Sequence, residues 1–127
     1  MGDPEVLRRA TELWQEAYAR QMQGDLERAI DLYQQSIDVH PTAEAHTFLG
    51  WTLSFQGRLE EAIPWLEKAK RAPRYEPRQF PYMNLGRIYL RQARWWEALR
   101  EFEVAVRLAP ADAELQKTLH SLRARLN

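Results

Sequence analysis

The sequence predicts an all-α fold built from three repeated helix–turn–helix units and a closing helix, seven helices in all. Three observations carry this. Three stretches of the 127-residue chain can be laid over one another. Within each, apolar residues recur at helical spacing on both sides of a small turn residue. After the third stretch, Leu115, Leu119, Leu122 and Leu126 fall on one helical face, opposite Gln116, Lys117, Arg123 and Arg125.

The first pair of helices is expected over about residues 4–22 and 25–39, with Ala17, Gly24, Ala29, Ile30, Tyr33, Ser36 and Pro41 as its marked positions. Glu16 and Arg20 stand where later copies carry Leu49 and Leu53, or Leu85 and Tyr89, which suits an exposed leading edge. The second pair, over 42–56 and 59–72, repeats the order as Leu49, Gly50, Gly57, Ala62, Ile63, Leu66 and Ala69. Pro64 falls inside its second helix and removes a hydrogen bond unless that helix begins late or kinks. The third pair, over 79–92 and 95–108, gives Leu85, Gly86, Ala93, Ala98, Leu99, Phe102, Ala105 and Pro110. The turn residues Gly24, Gly57 and Ala93 lie 33 and then 36 residues apart. A small residue is favoured there because the chain leaves helical geometry. Leu26, Leu59 and Trp95 then open each second helix as apolar anchors, while Pro41 and Pro110 follow the ends of theirs. The link over 72–78 is longer than its counterpart around Pro41 and is expected to rotate the third repeat. The last helix covers about 111–126 and shields the end of the array.

Gly50 and Gly86 sit within helices, where glycine costs roughly 1 kcal/mol relative to alanine and so needs a packing reason. A period of about 34 residues with this order of small and large positions resembles the tetratricopeptide repeat. The resemblance implies a right-handed α-solenoid and a single domain over 1–127. Its repeats would cover about 8–41, 43–73 and 79–110, with a capping helix over 111–126. In that family the small positions let the first helix of a repeat approach the second, here at Ala29, Ala62 and Ala98. A larger side chain would overpack the contact, typically at a cost of about 1–3 kcal/mol.

Composition narrows the function. Apolar residues make up 45% of the chain, enough for a core, and there is no cysteine for disulfides, thiolate catalysis or zinc-finger ligation. No apolar run reaches the ~18 residues that span a bilayer. The start Met1-Gly2-Asp3-Pro4-Glu5 carries neither a signal peptide nor a myristoylation pattern, so a cytoplasmic protein is expected. Net charge is zero but uneven: residues 1–45 hold nine acidic and four basic side chains, residues 46–127 nine and fourteen. Lys68, Lys70, Arg71, Arg74 and Arg78 form a basic cluster with few stacking aromatics beyond Tyr75 and with Glu67 and Glu76 among them, so no nucleic-acid partner is expected.

No constellation for catalysis is expected. His40, His46 and His120 lack the helical pairing of metal ligands. His46 falls on an interior-facing side, where a satisfied core histidine is far commoner than a ligand. Glu60 and Glu61 suit the dipole of a first turn rather than an acid–base pair. No cofactor and no metal are expected.

In tetratricopeptide arrays the first helix of each repeat lines the concave surface. By that resemblance the partner-binding candidates are Trp14, Tyr18, Thr47, Trp51, Phe55, Phe80, Met83, Asn84, Arg87 and Arg91, with Gln21 and Ser54 beside them. Members that clamp a chaperone's terminal carboxylate use lysine and asparagine in the first repeat and asparagine in the second. Here Trp14, Tyr18 and Trp51 replace them, so that clamp is not supported. The expected guest is a protein or peptide ligand, apolar with an acidic group near Arg87 and Arg91. Trp96 stands where other copies have Glu27 and Glu60 and should point outward, as a contact for another chain or for the Tyr75 link.

The function expected is a non-catalytic scaffold that binds its partner in an aromatic concave groove. The alternative is a self-assembling repeat protein, a homo-oligomer formed by dimerisation or repeat exchange, to which a shortened or engineered array also conforms. No membrane partner is expected.

Overall fold

Each expected helix forms, four of them behind a side-chain cap. The computed structural model describes residues 3–72 and 77–127. Its helices are α1 (Pro4–Met22), α2 (Leu26–Val39), α3 (Ala43–Phe55), α4 (Leu59–Lys70), α5 (Phe80–Arg91), α6 (Trp95–Leu108) and α7 (Ala113–Leu126). Among the described residues there is no strand. Most of the link between α4 and α5, with Arg74 and Tyr75, lies outside the described residues, as does the rotation expected of it. The chain divides into two compact units, Met1–Pro73 and Arg74–Asn127.

Asp3, Asp25, Thr42 and Asp112 cap α1, α2, α3 and α7, each side chain accepting a backbone N–H of the first turn at 2.9–3.2 Å. The turns inside the three repeats close identically. Gly24, Gly57 and Ala93 adopt positive φ of 85°, 77° and 59°. The amide after each donates to the carbonyl five residues back, from Asp25 to Arg20, Arg58 to Leu53 and Arg94 to Tyr89, at 2.8–3.0 Å. This is a Schellman termination, which satisfies carbonyls that the ending helix leaves open. In the second and third turns the next arginine also clasps a carboxylate. Arg58 Nη2 donates to Glu61 Oε2 at 2.7 Å, and Arg94 Nε to Glu97 Oε1 at 2.8 Å. These hydrogen bonds hold both carboxyls below the usual glutamate range.

In Met1–Pro73, α1 packs on α2, α3 on α4, and α2 on α3. Ala10, Ala17, Ala29, Leu49, Ala62 and Leu66 are completely buried at these contacts. Gly50 serves the α3–α4 contact: a Cβ there would stand 2.6 Å from Leu66 Cγ. Ser36 holds α2 to α1 by donating from Oγ to the Ala10 carbonyl at 2.6 Å. Glu16 and Arg20 are exposed and 3.8 Å apart, as a leading edge should be. Helix α4 runs through Pro64, whose side chain is exposed.

In Arg74–Asn127, α5 packs on α6 and α6 on α7. Gly86 lies against the Phe102 ring, 2.7 Å from where a Cβ would stand. Leu115, Leu119 and Leu122 are buried, so α7 covers α6 with the face its leucines predict. Trp95 departs from its expected anchor role: it is 41% exposed, and Trp96 beside it is 59% exposed.

Candidate functional site

The candidate residues on α1 and α3 assemble around a side chain absent from the expectation, Phe48. Its ring lies 5.8 Å from Trp14, 5.3 Å from Tyr18 and 6.4 Å from Trp51 between centroids. On its inner side it stacks on Tyr33 of α2 at 6.1 Å and 28°. Trp51 continues the row to Phe55 at 4.9 Å. The tilted pairs bring ring edges toward ring faces, the arrangement that the aromatic quadrupole favours. One end of the row is therefore fixed in the core and the other stands open, with Phe55 58% exposed.

A buried polar knot fixes that inner end. Gln21 Oε1 accepts from the Tyr33 hydroxyl at 2.7 Å, and Thr52 Oγ1 lies 2.8 Å from the same oxygen. Thr52 Oγ1 is also 2.7 Å from the Phe48 carbonyl, so its single proton serves one acceptor at a time. Burial, the main cause, pushes the Tyr33 hydroxyl well above the ordinary tyrosine range and keeps it a neutral donor.

Two residues expected on the open face are not there. Thr47 is 1% exposed and its hydroxyl donates back to the Ala43 carbonyl at 2.8 Å. Gln21 is buried in the knot just described. Thr47 loses the surface because α3 packs against α2 and α4 together, and Gln21 because α2 and α3 close over the end of α1 with Tyr33 and Thr52. Phe48 was concealed by the same packing of α3, since it neighbours the core residue Leu49 in sequence. The apolar residues of α3 fall on more than one face, Leu49 and Leu53 on one and Phe48 and Trp51 beside them, which was the clue that more than one side would be covered.

The other candidates belong to α5. Phe80, Met83, Asn84, Arg87 and Arg91 share one helical side. Phe80 is at the limit of exposure, Met83 and Asn84 are half-buried, and Arg87 and Arg91 are exposed one turn apart. This strip is cationic where the first surface is apolar.

Nothing at either surface forms a constellation for bond chemistry. Among the described residues no group of three or more His, Asp or Glu is placed to hold a metal ion. His46 is buried, its Nδ1–H donating to the Thr42 carbonyl at 2.7 Å, with Trp65 5.7 Å away. Burial pushes its pKa below the ordinary histidine value, Lys68 adds to this, and the carbonyl opposes it. In the basic cluster, Lys70 pairs with Glu67 at 3.1 Å and Lys68 lies over the Trp65 ring. No helix among the described residues is long and apolar enough to cross a membrane.

Paired helices, small residues at their crossings and three identical turns are matched by two family models described as tetratricopeptide repeat, over residues 15–77 and 82–115. The chain belongs to the tetratricopeptide repeat family. Solved tetratricopeptide structures share its fold. The first such domain of Spaghetti (RPAP3), bound to the HSP90 peptide SRMEEVD, matches with a TM-score of 0.85 at 20% identity, over 94% of each chain. The first such domain of human RPAP3 matches at 0.82 and 21%, over 92% of this chain and 91% of that one. The N-terminal domain of stress-induced protein-1 from C. elegans gives 0.83 and 19%, over 96% and 99%. No curated protein matches the sequence significantly.

Proposed function

We propose that this tetratricopeptide repeat chain is a non-catalytic, cytoplasmic interaction module whose repeats act as one array. It binds an apolar peptide or protein segment on the aromatic row of α1 and α3. The carrying observation is that row: five rings from Trp14 to Phe55, anchored on Tyr33 and open at Phe55. Apolar surface rimmed by polar groups is what a partner covers. A peptide bound to a structural neighbour, the HSP90 peptide on Spaghetti, supports a peptide as guest. On α5, in the other compact unit, Arg87 and Arg91 are the cationic residues suited to an acidic group.

The test is capture from a library of apolar peptides that each contain one carboxylate. Trp51→Ala should abolish capture and Arg87→Ala should weaken it, with helicity and melting little changed. Phe55→Ala removes a mostly exposed ring and serves as the control for stability. Capture that survives both Trp51→Ala and Phe55→Ala rejects the aromatic surface.

The uneven charge along the chain and the exposed Trp95 and Trp96 favour self-association as the second reading. It requires a solution mass that rises with protein concentration and falls with salt. A constant mass near 15.0 kDa under all these conditions rejects it.

A further inference from the structure

We infer that the capping helix does more than close the array: with α5 it forms a second docking surface, for an acidic peptide segment carrying apolar side chains. Leu90 of α5 and Lys117, Thr118, Ser121, Leu122 and Arg125 of α7 line a hollow of about 320 Å³. Its floor is leucine. Its α7 edge is the row Lys117, Ser121 and Arg125, one helical turn apart each time. Arg125 and Leu122 also line an adjoining hollow with Trp95 and Leu126, so the apolar floor continues to an exposed indole.

The charges select the occupant. Arg123 on the same helix is engaged by Glu103 at 3.1 Å. Among the described residues Lys117 and Arg125 form neither an ion pair nor a hydrogen bond. Arg125 lies in the last turn, where a cation complements the helix dipole, but Lys117 near the start of α7 has no such reason. Two unengaged cations flanking a leucine floor, with the Ser121 hydroxyl between them, complement carboxylates spaced around a leucine-sized side chain. Base stacking is poorly served, because the floor is aliphatic and its one ring, Trp95, stands at the far end. This surface shares no residue with the aromatic row of α1 and α3, and capture on it is told apart from capture on the row by its loss in the Lys117→Glu/Arg125→Glu variant, which serves as the background for the Trp51→Ala and Phe55→Ala tests.

The experiment uses the full chain and a fluorescein-labelled peptide alternating leucine with aspartate, read by anisotropy. Saturable binding is expected, weakened by added salt and weakened roughly tenfold or more in the Lys117→Glu/Arg125→Glu double variant. Ser121→Trp, which fills the hollow without changing charge, should weaken it similarly, while Phe55→Ala should leave it unchanged. All substituted residues are exposed, and unchanged thermal melting confirms that each variant folds. The proposal is overturned by absence of binding, or by equal affinity in the double variant. Equal binding of a leucine–lysine peptide, displacement by single-stranded DNA, or loss of binding in Phe55→Ala also overturns it.

Discussion

Gly50 and Leu66 occupy a gap with no space for a methyl group. A Cβ on residue 50 would meet Leu66 Cγ at 2.6 Å and the Ala62 carbonyl oxygen at 3.2 Å. Gly50→Ala gains helix propensity of about 1 kcal/mol but forces α3 away from α4, at about 1–3 kcal/mol. The expected result is a net loss of about 1 kcal/mol, seen as a lower urea midpoint at unchanged slope. A gain in stability would mean that Leu66 moves aside without cost.

The turn at Ala93 predicts the opposite sign. Its φ of 59° places a β-carbon in the left-handed region, which disfavours alanine relative to glycine by roughly 1–2 kcal/mol. Gly24 and Gly57 hold the same turn without that cost. Ala93→Gly should therefore stabilise by about 0.5–1 kcal/mol, part of the gain being offset by the freer unfolded chain. Thermal melting of Ala93→Gly beside Gly57→Ala, which should lose a similar amount, checks both directions.

The polar knot predicts unequal costs for its members. Tyr33→Phe removes one donor and leaves Gln21 Oε1 with Thr52, costing about 1 kcal/mol. Gln21→Leu leaves the buried Tyr33 hydroxyl without its acceptor, while Thr52 keeps the Phe48 carbonyl, and should cost about 1–3 kcal/mol. Chemical denaturation of both variants gives the order, and a reversed order would refute the sharing of one oxygen.

Acid weakening should trace to His46. In the unfolded chain its imidazole titrates near 6.5, and in the fold it titrates lower. Between the two values the unfolded state binds more protons. Stability is therefore flat above about pH 6.5 and declines as pH falls below it. Glu61 and Glu97, held below their ordinary 4.5, lose their contributions only in more acidic solution. Urea midpoints from pH 7.5 to 5.5 should fall for the parent and stay level for His46→Gln.

Local chemistry made the fold legible in the sequence. Gly24, Gly57 and Ala93 mark turns by backbone geometry alone, and each helix ends within two residues of expectation. His46 was legible too, because one face of one helix determined its burial. Phe48, Thr47 and Trp95 were not. Their exposure depends on which neighbours reach them: three helices converge on Phe48, α3 turns Thr47 inward, and Trp95 lies partly open beside Leu122 and Leu126. One helical period cannot encode several simultaneous partners, so the surface chemistry was misassigned where the core was not. The cations of α7 read as a solvated face for the same reason: the hollow beside them needs Leu90 from another helix.

The shared oxygen of Gln21 also limits how this chain can grow. It joins side chains from α1, α2 and α3, so the first two repeats recognise each other through a polar match that generic apolar packing does not supply. A repeat inserted between them, or a first repeat borrowed from another array, would separate Gln21 from Thr52 and leave each with its local partner alone, Tyr33 for Gln21 and the Phe48 carbonyl for Thr52. Lengthening by duplication beyond α3 keeps the cross-repeat match of Gln21 and Thr52, which favours inheriting the amino-terminal pair of repeats together.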